Sequence, residues 1–308
     1  MPQRAARVTV VGESLVDLLW PAGSRQATAV AGGSPANVAV GLHRLARPVT
    51  LVTCWGDDPP GELVAARLAE TGVPVIRAPA ATARTTVALA CLDRDGSASY
   101  DFLATWDPAG LPVPEDTAVL HTGSLATILE PGAARVIALC EEQRARGRTV
   151  AADLNVRPAV QPDREVYLAA CLRLAATADV LKASDEDLAF LLPGLAPAQA
   201  ARRLLASEPS PALAVVTLGA AGALAVTPTG ETHVPAPAVT VADTVGAGDA
   251  FQAALLDSLA AAGGSPPAGP DGLRRLLTRA ARAAALTCTR TGPEPPTLAD
   301  LESAAPGA

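Results

Sequence analysis

"DTVGAGDAF", residues 243–251, sets three small residues before an acid and runs directly into an apolar segment. Ala250, Phe251, Ala254, Leu255, Leu259 and Ala262 recur there at helical spacing. Gly246, Ala247 and Gly248 therefore fall at a helix N-terminus, where backbone N–H groups point outward without partners. The stretch has two readings. In one, Asp249 is an acid at a helix start, where Asp is common as a cap. In the other, the small residues let an anion approach the free N–H groups, and the helix dipole favours its negative charge. Asp249 is then a base at the rim, placed to take a proton from an alcohol beside a bound phosphate.

Two familiar phosphate motifs are excluded. A Walker A loop needs a Gly-Lys dipeptide, and the single lysine, Lys182, follows Leu181. A dinucleotide fingerprint needs a third glycine three residues after the second, and position 251 is Phe. A second stretch, "AGGSPANVAVGLHRLA" (31–46), places the Gly32-Gly33 turn before a helix that starts at Ser34-Pro35 and carries Val38, Leu42 and Leu45 on its apolar face. It reads either as a helix entry with Pro near the first position, or as a backbone loop plus the Asn37 amide gripping a polyol.

Around these stretches, short β-branched runs recur at 8–12, 49–56, 86–93, 118–124, 149–155, 179–184 and 213–219. Several are apolar throughout, as strands buried on both faces are. Helical periods lie between many of them, at 36–46, 61–72, 132–147 and 164–178. The alternation predicts an α/β fold with a mainly parallel central sheet and helices on both faces. Two segments break it. Residues 13–31 read as strand, turn, strand; residues 82–106 read as a hairpin turning at Arg94-Asp95-Gly96. They form either a small accessory sheet over a pocket or edge strands of the main sheet. "GGSPPAGPDG" (263–272) reads as a surface loop between two helices. With no repeat and no linker, one domain over 1–308 is expected.

The 308 residues are 49% hydrophobic, enough for a sizeable core, and the net charge of −7 argues against a nucleic-acid surface. Five cysteines, an odd number with no C-x-x-C pair, suit buried thiols in a reducing compartment. No apolar run approaches the roughly 20 residues that span a bilayer, so no membrane association and a cytoplasmic location are expected. His43, His121 and His233 lack metal-ligand spacing.

The two quoted stretches, in this order and about 200 residues apart, resemble the two signatures of the ribokinase-like PfkB sugar kinases. "VVGESLVDLL", "WGDDPPGELVAARLAETGV", "ADLNVRP", "KASDEDLAFL", "VTLGAAGAL" and "CTRTGPEPPTLADLE" follow in the family's order, so the resemblance covers essentially the whole chain. The opening, NVRP and the tail are most similar to the bacterial fructokinase branch. The resemblance implies a ribokinase-like fold with a small β-sheet lid, and transfer of the γ-phosphoryl group of ATP to a primary hydroxyl of a sugar. Asp249 then matches the catalytic base, and Gly246, Ala247 and Gly248 match the anion hole. Asp17, Gly33 and Asn37 match sugar-binding positions, with Gly32 supporting the turn. Thr217, Gly219 and Gly222 match the ATP-side loop, and Lys182 a position near the nucleotide, with a solvated side chain as its alternative.

Some positions depart from the family pattern. Ser184 and Asp187 stand where many relatives carry Asn and Glu near Mg2+ and the phosphates, which leaves metal assistance to Asp187 through water. Val245 replaces a common Thr, which matters little where a K+ site uses the carbonyl. Arg157 reads as a substrate or phosphate contact or as a surface salt bridge. Tyr100 and Phe102 read as a cover over the sugar or as dimer packing, and a homodimer is itself a family inference. Fructose is the favoured sugar. 2-Keto-3-deoxygluconate, a ribose-like sugar or a nucleoside are the alternatives within enzymes, and a non-catalytic sugar-binding regulator is the alternative outside them.

Overall fold

The computed structural model describes residues 6–81, 84–93 and 98–303. In chain order the first half comprises β1 (Arg7–Val11), β2 (Leu15–Pro21), β3 (Thr28–Gly32), α1 (Ser34–Arg44), β4 (Val49–Thr53), α2 (Pro59–Thr71), β5 (Val75–Arg77), β6 (Thr86–Leu92) and β7 (Ala98–Leu103). Next come β8 (Thr117–Gly123), α3 (Gly132–Ala145), β9 (Thr149–Asp153), α4 (Arg164–Thr177), β10 (Val180–Ser184), α5 (Asp185–Leu191) and α6 (Pro197–Leu205). The chain continues through β11 (Leu213–Thr217), β12 (Ala223–Thr227), β13 (Gly230–Val234), α7 (Ala247–Ala261), α8 (Pro270–Cys288) and α9 (Leu298–Ser303).

The large sheet has nine strands in the order β13-β12-β11-β10-β9-β8-β1-β4-β5. It is parallel from β11 to β5, while β12 and β13 add antiparallel at one edge. Successive residues of one strand feed opposite cores: Ala151 packs with α1, α7 and α8, whereas Val150 and Ala152 pack with α3, α4 and α6. That two-sided burial is why these strands read as continuous apolar runs. Helix α7 is the central member of its layer. Phe251, Ala254, Leu255 and Leu259 are buried, and each of the larger three contributes roughly 1.5–3 kcal/mol by leaving water. Ala262, expected on that face, lies exposed just beyond the helix end.

The segments that broke the alternation pair with each other in a separate four-stranded sheet, β3-β2-β6-β7. They are not edge strands of the large sheet. The run 86–93, grouped above with the main strands, belongs here as β6, parallel to β2. The turn expected at Arg94-Asp95-Gly96 lies outside the described residues. Reading from sequence missed β5, β12 and β13, which are short and flanked by Pro, Gly and Thr. The loop expected at 263–272 joins α7 to α8, with α8 starting at Pro270.

Cys54, Cys140 and Cys171 are buried, and burial pushes the last two thiols up to about 12; Cys91, by contrast, is exposed, so the cysteines are not all core. Trp106 is fully buried, Trp55 lies under the Arg77 guanidinium, and Trp20 is exposed on the small sheet. Among the described residues no helix is long and apolar enough to cross a membrane.

Candidate active site

In the large sheet the chain steps outward from β1 to β4 and β5, then returns to the other side of β1 with β8. Open α/β sheets bind ligands at the carboxyl ends of their strands, beside such a reversal. Here those ends carry Glu13 and Asp17 after β1, Ser124 after β8, Asp153 at the end of β9, Ser184 on β10 and Thr217 on β11. The small sheet continues directly from β1, and the N-termini of α1 and α7 face the same region through a hydrogen-bonded contact.

That contact is built on Asp249. Ser34 Oγ donates to its Oδ1 at 2.6 Å, and Asn37 Nδ2 donates to its Oδ2 at 2.9 Å. Its carboxylate makes no capping bond to its own helix. Burial raises its pKa above the ordinary 3.8, and Asp153 adds to this, against the lowering effect of Ser34, Asn37 and Lys182. The turn before it depends on Gly246, at φ 77°, where a Cβ would also come within 2.7 Å of Pro293. The Ala247 N–H turns back to the Thr244 carbonyl at 3.2 Å, and the Ala250 N–H bonds the Gly246 carbonyl at 2.9 Å. Between them Gly248 faces open space: the nearest atom to a Cβ placed there is Lys182 Nζ, 3.9 Å away. A carboxylate beside open helix-start amides can accept a proton from an alcohol while the amides hold an anion.

Asp17 lies in the middle of β2, opposite Val30 on β3 and Ala88 on β6, and Ala88 in turn opposes Phe102 on β7. Directly opposed residues share a sheet face, so Asp17, Phe102 and, two residues along, Tyr100 stand on one face. Phe102 packs toward Leu15 and Leu125, and Tyr100 stacks on it with ring centroids 6.2 Å apart while remaining half exposed. A Cβ on Gly32 would sit 2.8 Å from Asp17 Oδ2, so its absence leaves that carboxylate where it stands. Gly33 is the residue before α1, and its carbonyl accepts from the Asn37 N–H. Asn37 spends one of its two side-chain amide donors on Asp249 and keeps its side-chain oxygen. Burial pushes Asp17 up to about 6, with Arg157 lowering it and Asp249 raising it. Arg157 has no carboxylate within ion-pair distance among the described residues, which removes the surface salt bridge expected as its alternative; its Nη1 donates to the Val156 carbonyl at 3.0 Å.

On the far side, Thr217 ends β11 and Gly219 opens a short 3-10 turn over 219–221, with nothing near a Cβ placed on it. Gly222 closes that turn against the edge hairpin, where a Cβ would meet the Val234 carbonyl at 2.0 Å. Ser184 and Asp187 form a reciprocal cap on α5: Ser184 Oγ accepts from the Asp187 N–H at 2.9 Å, and Asp187 Oδ2 accepts from the Ser184 N–H at 2.8 Å. Asp187 Oδ1 accepts from the Val156 N–H at 2.8 Å. Both oxygens are therefore engaged by backbone, and burial holds Asp187 above the ordinary carboxylate range. No group of three or more His, Cys, Asp or Glu among the described residues could hold a metal alone. Lys182 is not solvated: it is 4% exposed, and its Nζ pairs with Asp153 Oδ2 at 2.7 Å.

Three members of this region escaped the sequence. Ser34 was read only as a helix start, Asp153 only as part of ADLNVRP, and Glu13 not at all. Glu13 is buried and accepts from the Ala126 N–H at 3.0 Å and the Leu125 N–H at 3.4 Å, tying the end of β1 to the turn after β8. Their partners are far away in sequence, so no local spacing could have shown these contacts.

Residues 5–299 match the model of the pfkB family carbohydrate kinases. A fructokinase of Klebsiella pneumoniae is 36% identical over 266 residues, which cover 83% of this chain and 85% of that one. Among solved structures, fructokinase with bound ATP from Xylella fastidiosa superposes with a TM-score of 0.81 at 30% identity, covering 96% of this chain and 97% of that one. A fructokinase double mutant from Vibrio cholerae, in a form with fructose, ADP and potassium ion bound, gives 0.75 at 28%, covering 96% and 95%. With the fold, the strand-end cleft and both signature stretches, these matches establish that the chain belongs to the pfkB family of carbohydrate kinases.

Proposed function

We propose that this kinase transfers the γ-phosphoryl group of ATP to a primary hydroxyl of fructose. The observation that carries the reading is the setting of Asp249, held by Ser34 and Asn37 at an open helix N-terminus, within electrostatic reach of Asp17. Asp17, Gly33 and Asn37 hold the sugar by vicinal hydroxyls, Gly32 gives Asp17 room, and Tyr100 and Phe102 cover it from the small sheet. Asp249 takes the proton of the attacking hydroxyl; its raised pKa makes it a stronger base than an ordinary carboxylate. The amides at Gly246 and Gly248 stabilise charge on the phosphoryl group as it moves, while the Ala247 N–H, expected to join them, bonds the Thr244 carbonyl and holds the turn. Thr217, Gly219 and Gly222 shape the nucleotide side. Positioning and charge neutralisation supply most of the catalysis in such transfers.

Mg2+ arriving with the nucleotide supplies further neutralisation. The protein's share of its coordination is small, since both oxygens of Asp187 serve backbone donors. Asp187 and Ser184 act through water. A K+ ion fits the loop that strings Val245 and Gly292 to the Asp243 carboxylate, with the Val245 carbonyl as a ligand. As an ATP-dependent enzyme of sugar metabolism the protein belongs in the cytoplasm, and the exposed Trp20, Tyr100 and Leu103 of the small sheet suit a homodimer.

Arg157 supports one second reading. A cation with no ion-pair partner among the described residues, close enough to lower Asp17, suits the carboxylate of an acidic sugar such as 2-keto-3-deoxygluconate. The test is kcat/KM for fructose, ribose and 2-keto-3-deoxygluconate, in wild type and Arg157→Ala. Fructose should lead by at least tenfold, about 1.4 kcal/mol of differential transition-state binding. A lead for the acid sugar that Arg157→Ala abolishes gives the second reading; no turnover with any sugar leaves a binding protein.

A further inference from the structure

Helix α8 carries Arg274, Arg275, Arg279 and Arg282 in the run "RRLLTRAAR". Its other face is spent on the core, where Leu273, Leu276, Leu277, Ala280 and Ala281 are buried. A polar outer face is ordinary for such a helix. A solvated face usually sets acids opposite bases one turn away, and no acid stands between 274 and 282. Arg275 and Arg279 are four apart and Arg279 and Arg282 three apart, so like charges meet at the spacings where helix side chains are neighbours. The four side chains line one groove with Leu301 of α9, and its volume is about 390 Å³. Among the described residues, Arg279 alone of the four has an ion pair, to Asp257 on α7, and Asp257 already serves Arg47 at 2.7 Å. Arg282 Nη2 is buried with no partner. Buried polar groups are almost always satisfied. A buried guanidinium nitrogen in a groove of like charges, on a chain whose net charge is −7, points to an anion that completes the site.

We propose that the α8 groove is a second ligand site, separate from the cleft, for a small molecule bearing two phosphoryl groups. Guanidinium forks match phosphate oxygens two at a time, and Arg274, Arg275 and Arg282 are the three not committed to an acid. The groove holds more than one phosphate, since small-molecule sites begin at roughly 300 Å³. It stands apart from the chemistry. Asp257, which Arg279 reaches, lies eight residues along α7 from Asp249, roughly 12 Å at 1.5 Å per residue. Binding here relieves repulsion that the free protein bears, so the ligand stabilises the fold as well as filling the groove.

The experiment titrates inorganic pyrophosphate into the full chain by calorimetry, with the cleft filled by a non-hydrolysable ATP analogue and fructose. Wild type is compared with the double variant Arg275→Gln, Arg282→Gln, and melting temperature and kcat are measured on the same preparations. Wild type should bind pyrophosphate at one site, more weakly as salt is added, and should melt higher in its presence. The double variant should bind at least tenfold more weakly, gain no melting temperature from pyrophosphate, and melt at or above wild type without it. Its kcat should stay within twofold of wild type, whereas a large loss of kcat would place these arginines in the cleft and overturn a separate site. Equal pyrophosphate affinity in the two proteins overturns the proposal, and so does a double variant that melts lower than wild type without ligand, which makes the arginines structural. Orthophosphate binding as tightly as pyrophosphate overturns the two-phosphoryl class. Retention on anionic vesicles or single-stranded RNA that pyrophosphate does not displace overturns a small-molecule ligand.

Discussion

Asp58 and Asp249 both stand at helix starts and are held in opposite ways. Asp58, before α2, is an ordinary cap: its Oδ1 accepts from the Gly61 N–H at 2.9 Å, and Thr85 donates both its hydroxyl and its N–H. Burial alone would raise its pKa, but the bonds from Thr85 and Gly61 outweigh burial and hold it below the ordinary 3.8. Asp249, in the first turn of α7, gives nothing to its own helix. It is gripped by side chains of α1, and burial leaves its pKa raised. A cap is stabilised by the backbone it serves, whereas a base is kept ready for a group that is yet to arrive. The comparison is what supports the second reading of 243–251, the role proposed above for Asp249.

The largest expected effect lies at Asp249. Asp249→Asn should lose ~10²–10⁴-fold in kcat, the usual scale for removing a general base, in steady-state assays with fructose and ATP. Next comes the cradle. A valine at Gly248 projects into the open space above Lys182 and should cut kcat on the order of 10²–10³-fold while changing fructose affinity little. Equal losses in both, with a lower melting temperature, would instead indicate a folding defect.

A smaller effect belongs to Asp17. As the sugar ligand proposed above, the ionised Asp17 carboxylate accepts stronger bonds from hydroxyls than the protonated acid, and burial pushes its pKa up to about 6. kcat/KM for fructose should therefore fall as pH drops through about 6, approaching tenfold per unit. Asp17→Asn should be weaker at neutral pH and flat across that window; an unaltered profile in the variant would assign the titration elsewhere. The smallest effect is at Asp58. Asp58→Ala should cost about 1 kcal/mol of stability and leave kcat unchanged. Because the folded pKa is lowered, this contribution is present above pH ~4 and disappears as pH falls through the folded value; urea titrations at pH 7 and pH 3 would show it.

Much of this was legible in the sequence because it is periodic. The apolar repeat of α7 and the turn at 246–248 are enough to put the cradle at a helix start. What was not legible depends on partners. Ser34 reaches Asp249 across 215 positions, and no local pattern announces such a bond. Lys182 invited a nucleotide contact or a solvated side chain; neither reading contained Asp153, 29 residues away on the neighbouring strand. The runs at 13–31 and 82–106 declared themselves strands, but a strand's pattern shows which face is buried, not which sheet it joins. That β2 takes β6 rather than β4 is a tertiary choice.

The most direct test of the central claim reads activity and stability together in the two aspartate variants, using one preparation of each at pH 7. With its raised pKa, the ionised Asp249 carboxylate does not stabilise the fold at neutral pH, so Asp249→Asn should melt at or above the wild-type temperature while losing nearly all turnover. Asp58→Ala should do the reverse, melting lower with full turnover. Crossed results of that kind are what a base and a cap require. If Asp249→Asn instead melts lower and retains wild-type kcat, Asp249 is a capping acid and the chemistry lies elsewhere in the cleft.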